Sequence, residues 1–377
     1  MFEKGTVREE EGIRDTGYGY EMRDSGHSVP LTAHDSPLTN YIPPSMTHQP
    51  DPDHHDPRGG FQNPWPQAPP PVFTGLLRWA ITRTLKPRFD RTRRGTFPAA
   101  APAFAMPRAE PTETSLTWIG HATFLIQIGG LNVLTDPMWS ERPSPVRFAG
   151  PRRYMAPGVP LEDLPPIDVV LLTHDHYDHL DEPTVERLVV EQASAEWLAP
   201  LGLGSWLRAR GVAQVHELDW WAQVERDALR ITCLPAQHFS GRGFRRNQAL
   251  WCGWALEASD HRVCFAGDTG LHPGFREIGE RLGPFDVAVL PIGAYDPRWF
   301  MAPVHMDPDD TVTAFRELTA THTKRCRMVG MHWGTFKLTD EPMTEPPQRT
   351  RDAWQSVGLP ADDLWILAHG ETRWVSP

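Results

Sequence analysis

The 377-residue chain carries 48 acidic and 37 basic side chains, and its formal net charge of -11 argues against a dedicated nucleic-acid binder, which shows a basic balance. Hydrophobic residues at 40% and charged residues at 23% fit a globular protein, and no run of roughly 18 apolar residues offers a membrane span. The opening MFEKGTVREEEG lacks the charged-then-apolar pattern of a secretory signal, so a cytoplasmic chain is expected.

Residues 1–60 are polar, broken by Pro and Gly, and show no sustained period, so they bury too little apolar surface to offset the entropy of ordering; a disordered tail is expected. It contains His27, His34, His48, His54 and His55, of which only the last two are adjacent, and a solvated linker is preferred over a metal-binding tract. FQNPWPQAPPP, at 61–71, reads as an extended, proline-stiffened lead. Phe73, Leu76, Leu77, Ala80, Ile81 and Leu85 then recur at helical spacing, among Arg78, Arg83, Lys86, Arg88, Arg91, Arg93 and Arg94 with Asp90 as the one acid. Such a basic amphipathic helix either lies at an anionic membrane surface or docks on the protein's own core. Residues 61–109 form this lead, and 110–377 form the main domain.

From residue 110 short β-rich runs alternate with helical stretches. SLTWIG, ATFLIQI and LNVLTD read as successive strands, with Gly129-Gly130 as a tight hairpin between the last two. IDVVLLTH is a buried strand delivering polar residues at its end. Helices are predicted over 182–193 and 202–211, strands at WLAP, LRITCLPA, ALWCGWALEA, RVCFAGD, DVAVLPIG and RMVGMHW, and a helix over 308–320 starting at Asp307-Pro308. Cys233, Cys252, Cys264 and Cys326 form no CxxC pair and are expected to be buried, reduced thiols. The mixed order points to a four-layer αββα sandwich, two mixed β-sheets flanked by helices.

The chemistry concentrates in His174-Asp175-His176-Tyr177-Asp178-His179, directly after the strand IDVVLLT. In a loop, alternating His174 and His176 can face one metal while Asp178 and His179 face another. Three further apolar runs end in a ligand type: LRITCLPAQH in His238, RVCFAGD in Asp268, and RMVGMH in His332. A buried polar group left unpaired costs roughly 1 to 3 kcal/mol, so repeated placement at strand ends argues for convergence on cations. Five histidines and two aspartates suit two zinc ions; iron and manganese fit the same donors. His174, His176 and His238 are assigned to one ion, Asp178, His179 and His332 to the other, and Asp268 to the bridge between them.

THDHYDHLD, PAQH, FAGDTG and MHWGTF, in this order, resemble the metallo-β-lactamase-fold hydrolases. TWIGHATFLIQIGG, LTDP, FAGPRRY, LGLGSW, ELDWW, GPFDVAVLPIGAYDPRWFM and VHMDP narrow the resemblance to the N-acylphosphatidylethanolamine-hydrolysing phospholipase D family, over about residues 61–377 with NPWP and LLRW included. The resemblance implies the metallo-β-lactamase fold, two Zn2+ per chain on the seven residues assigned above, and a catalytic role for Asp178 and Asp268. It places a further catalytic histidine at His305, as a hydrogen-bond donor or general acid. Asp136 in LTDP is a candidate for orienting a ligand imidazole. The implied reaction is hydrolysis of N-acylphosphatidylethanolamine to N-acylethanolamine and phosphatidic acid by hydroxide attack on phosphorus. It implies a phospholipid substrate met at a membrane surface, peripheral membrane association, and a homodimer. Asp175 stands where vertebrate members carry Asn, and FSGRGFRRNQ, where the match loosens, is expected to line the substrate channel. A soluble phosphodiester or a lactone is the alternative substrate.

Overall fold

A computed structural model describes residues 39–42, 53–65, 75, 78–79, 81–83, 92–242 and 246–375. Its frame is a pair of sheets. Gly129 and Gly130, at φ 62° and 77°, turn β3 (Thr123–Ile128) back on β4 (Leu131–Thr135), the left-handed geometry a two-residue hairpin requires. With β2 (Ser115–Gly120), β5 (Val169–Leu171), β6 (Glu196–Pro200), β7 (Val215–Leu218) and β15 (Thr372–Trp374) they form a seven-stranded sheet in the order β15-β2-β3-β4-β5-β6-β7. The second sheet has eight strands: β1 (Thr39–Ile42), β8 (Gln223–Arg226), β9 (Leu229–Leu234), β10 (Gly253–Ala258), β11 (His261–Phe265), β12 (Val287–Pro291), β13 (Arg327–Met331) and β14 (Leu364–Trp365), in that order.

Both sheets are mixed. β4 to β7 and β11 to β14 run parallel, and the remaining neighbours are antiparallel. The parallel strands β4, β5, β6, β12 and β13 are buried along their whole length, as expected where both faces of a sheet are covered. Leu116, Trp118, Phe124, Ile126, Val133 and Leu171 of the first sheet share one core with Ile231, Trp254, Leu256, Phe265, Val289 and Val329 of the second. The other face of the first sheet, with Ile119, Leu125, Leu134 and Val170, packs on Val185 and Leu188 of α1 (Glu182–Glu191) and Leu207 of α2 (Gly204–Arg208). On the second sheet, α5 (Pro308–Thr319) packs against β12 and lies between α3 (Gly274–Leu282) and α6 (Glu345–Ser356). The expected four-layer αββα architecture is present. All four cysteines are free and buried. Among the described residues no helix is long and apolar enough to cross a membrane.

Two pieces of the expected tail are built into the domain. β1 pairs with β8, and His54 and His55 place their Nε2 atoms 2.6 and 2.8 Å from the two carboxylate oxygens of Asp219. That docking is polar and aromatic, with His54 stacked on Trp220 at 4.1 Å, so hydrophobic periodicity does not register it. Residues 1–38 and 43–52 lie outside the described residues, as do Leu76, Leu77, Ala80 and Leu85 of the expected basic helix. The described part of that helix sits on the domain. Trp79 donates to Asp340 Oδ2 at 3.1 Å and meets Phe300, and Arg78 lies over the Trp299 ring.

Candidate metal centre

The C-terminal ends of β9, β11 and β13 in the second sheet and of β5 in the first lead to one place. His238 follows β9 by four residues, Asp268 follows β11 by three, and His332 follows β13 directly; the loop 174–179 follows β5 of the first sheet. A strand end is rigid up to its last hydrogen bond, so these side chains are held by the sheets rather than by flexible loops.

The seven expected ligands come together as two groups joined by a carboxylate. In one, His174 Nε2 is 2.8 Å from His176 Nδ1, which is 3.2 Å from His238 Nε2. In the other, Asp178 Oδ2 is 3.4 Å from His332 Nε2 and 3.6 Å from His179 Nε2, and the two histidine nitrogens are 3.3 Å apart. Asp268 Oδ2 reaches both groups, at 3.2 Å from His179, 3.1 Å from His332 and 3.9 Å from His238. Its Oδ1 is buried without a hydrogen-bond partner. His305 sits at the edge, Nδ1 3.9 Å from the same Asp268 oxygen.

The far nitrogens explain which atoms face inward. His174 Nδ1 is 2.9 Å from the Thr173 hydroxyl, His179 Nδ1 is 2.8 Å from Asp136 Oδ2, and His238 Nδ1 is 2.8 Å from the Val304 carbonyl. Each of these Nδ1 atoms donates its proton outward, which leaves the Nε2 lone pair directed at the centre. Asp136 also accepts from the Thr173 backbone and hydroxyl at 2.8 and 2.7 Å, so one buried carboxylate orients a ligand from each group.

The electrostatics favour the ligating protonation state for His174, His176, His238 and the two aspartates, whereas His179 and His332 hold protons that a cation would displace. Burial, with neighbouring imidazoles, drives His174 and His238 well below the usual histidine value and His176 down to about 4. Burial opposes the ionised form of Asp178 and Asp268, yet the facing His179 and His332 outweigh it and hold both carboxyls well below the usual range. The same aspartates overcome burial to hold His179 well above its usual value and raise His332 to about 9. Lone pairs of imidazoles and ionised carboxylates that face one another, with a buried orphan oxygen among them, need positive charge between them. The residues fit divalent cations, the His/Asp donor set being that of hydrolytic zinc sites.

Two participants carry no signal of the kind that revealed the others. His121, in GHATF, puts Nε2 2.9 Å from Asp178 Oδ2, with its ring centre 4.0 Å from that of His332 and tilted 39° to it. It also follows an apolar run, SLTWIG, but that run reads as half of a hairpin and the histidine falls in its turn. Asn63, in the proline-rich lead, accepts from the His238 N–H at 3.2 Å and donates to the His238 carbonyl at 2.9 Å. His121, Asp136 and His332 all have positive φ, at 58°, 34° and 63°, conformations that cost non-glycine residues about 1–3 kcal/mol each and cluster at functional sites.

A cleft of about 540 Å³ opens on His176 and Asp178, lined by Arg83, Arg94, Pro143, Pro151, Arg152, Tyr154, Tyr177, Lys337 and Leu338. None of the described residues of the expected lining, FSGRGFRRNQ, is among these. Arg242 instead turns inward, donating to the Leu180 carbonyl and lying 4.3 Å from the Tyr177 ring centre, while residues 243–245 lie outside the described residues. Asp175 points away from the metal ligands and accepts from the Gly241 N–H at 2.7 Å.

The model of the β-lactamase superfamily domain matches residues 131–333, which include all seven expected ligands. An uncharacterized protein of Mycobacterium tuberculosis is 45% identical over 260 residues, 67% of this chain and 68% of that one. The N-acyl-phosphatidylethanolamine-hydrolyzing phospholipase D 1 of Caenorhabditis elegans is 42% identical over 248 residues, 63% of this chain and 68% of the relative. Among solved structures, a metallo hydrolase from the archaeon Ignicoccus hospitalis aligns with a TM-score of 0.53 at 24% identity, over 70% of this chain and 99% of that one. The chain belongs to the metallo-β-lactamase superfamily and is a metal-dependent hydrolase of that fold.

Proposed function

We propose that this member of the metallo-β-lactamase superfamily is a phospholipase D-type phosphodiesterase that holds two zinc ions and hydrolyses N-acylphosphatidylethanolamine to N-acylethanolamine and phosphatidic acid. The observation that carries the reading is Asp268, whose single oxygen faces both histidine groups in a centre that reaches, through His176 and Asp178, a cleft bordered by Arg83, Arg94, Arg152 and Lys337. The relative from Caenorhabditis elegans supports the choice of lipid. A phosphodiester is anionic and gains from a cationic approach; a lactone is neutral and gains nothing from it.

Two divalent cations in this site would supply an acidified water and a clamp on the phosphoryl oxygens. His174, His176 and His238 would hold one, and Asp178, His179 and His332 the other, with Asp268 shared. Asp136, Thr173 and Val304 keep His179, His174 and His238 from rotating away, and Asn63 holds the backbone of His238. His305 has its pKa pushed down to about 4 by burial, so at neutral pH it is an uncharged imidazole. That state suits the hydrogen-bond donor role, in which it orients a phosphoryl or leaving-group oxygen.

The test is product analysis by mass. Metal-loaded protein is given N-acylphosphatidylethanolamine in mixed micelles, with a soluble aryl phosphodiester and a lactone in parallel. Release of N-acylethanolamine, absent from Asp268→Asn protein, is expected. Turnover of the soluble compounds without any lipid product would replace the substrate assignment.

A further inference from the structure

We infer that the mouth of the cleft holds a second phosphate group, one that is not cleaved, belonging to an anionic phospholipid next to the substrate. The inference rests on the phospholipid reading above. A scissile phosphodiester carries one negative charge, and cations on the seven ligands already exceed it. Four more positive side chains nevertheless line the cleft, drawn from three stretches, the basic segment with Arg83 and Arg94, the loop with Arg152 and the segment with Lys337, of a chain whose net charge is -11. Each is steadied by a neighbour. Arg83 lies 3.3 Å from Asp340, Arg152 pairs with Glu141, Lys337 donates to the Glu341 carbonyl at 2.8 Å, and Arg94 stands 5.3 Å from the Tyr154 ring centre. A guanidinium has five N–H donors and an ammonium three, so contacts of this kind with the protein do not preclude further donation to the oxygens of a phosphate.

The loop that joins β4 to β5 identifies the source of that phosphate. Pro143, Pro151 and Arg152 of this loop line the cleft, and between them Phe148 is 85% exposed and Val146 38% exposed, beside Arg142 and Arg147. A phenylalanine held in water next to arginines matches an interfacial anchor, its ring at the acyl boundary and the cations among headgroups. A soluble phosphate ester would use the cations and leave Phe148 with nothing to touch. Positive charge and apolar tip on one rim therefore favour a lipid surface.

Co-sedimentation of metal-loaded protein with phosphatidylcholine vesicles, with and without phosphatidylserine, an anionic lipid that is neither substrate nor product of the proposed reaction, tests this. Phosphatidylserine should raise the bound fraction several-fold. An Arg94→Ala/Lys337→Ala protein should lose most of that rise, and Phe148→Ser should weaken binding to both vesicles. Lys324→Ala/Arg325→Ala removes the same charge at the start of β13, the end remote from His332, and should keep the rise. The proposal is overturned if the cleft variant keeps the rise, or if the remote variant loses as much. It is also overturned if glycerol 3-phosphate binds the cleft as tightly in calorimetry while Phe148→Ser leaves vesicle binding unchanged, because the site then takes soluble phosphate. Vesicle binding is read without turnover. A protein that shows the expected pattern yet does not cleave N-acylphosphatidylethanolamine keeps this site and loses only the substrate assignment.

Discussion

Asp136 is the residue on which the centre's geometry turns most visibly. It touches no substrate, yet it fixes His179 directly and His174 through Thr173. Removing a carboxylate that orients a ligating imidazole weakens metal affinity by about 10–100-fold. Asp136→Ala should therefore give a loss of that size in competitive chelator titrations while the fold persists by circular dichroism. Asn63 acts from the opposite side, on the backbone of His238. Asn63→Ala should release metal to a chelator more readily than the parent, and an unchanged affinity would reduce its contacts to packing. The two residues differ in how far the sequence revealed them. Asp136 ends an apolar run, LNVLTD, as the ligands do, and is readable for the same reason. Asn63 lies in a proline-rich stretch 175 residues from its partner, and nothing in local spacing announces a contact made by tertiary folding alone.

At the level of elements, the strands that carry ligands were the ones best marked in the sequence. β9, β11 and β13 end in buried apolar residues and are followed within four residues by a ligand type, so burial and site placement produce one pattern. IDVVLLTH shows the limit. Only Val169–Leu171 is strand, because the chain must leave the ladder before His174 to bring its ring to the centre. The run ALWCGWALEA likewise contributes strand only from Gly253, Cys252 donating instead to the Thr173 carbonyl at 2.9 Å beside the site. β7 and β8 escaped notice because half-buried polar positions dilute their period, and α6 because Pro346 and Pro347 fall in its first turn, where proline is tolerated. The helix expected at 308–320 is α5, and Asp307 and Asp310 close a capping box at its start. Asp307→Ala removes that cap and should lower stability by about 1 kcal/mol. The loss also includes the 2.7 Å contact of Asp307 with Arg349, so a urea midpoint unchanged from the parent would contradict the assignment.

For the molecule as a whole, the two sheets provide the frame and the centre provides a charge problem that the frame does not solve. Packing of Trp118, Trp254, Phe265 and their neighbours stabilises the sandwich whether or not metal is bound, whereas the facing lone pairs of five histidines and two aspartates do not. Ligands that bind only the folded state stabilise it by mass action. Chelation of purified protein should lower its melting temperature, and returning zinc should restore it; a melting curve indifferent to both would remove the cations from the account. The cleft cations were readable only in part: Arg83 and Arg94 belong to the basic segment singled out after the proline-rich lead, whereas Arg152 and Lys337 become their neighbours only through the fold.

The central claim is a two-cation centre shared through Asp268. Elemental analysis of purified, extensively dialysed protein, done alongside the Asp268→Asn variant, tests it most directly. The parent is predicted to retain two divalent ions per chain and the variant at most one, with hydrolytic activity falling in step. One ion per chain in both proteins, or none in an active parent, would contradict the claim.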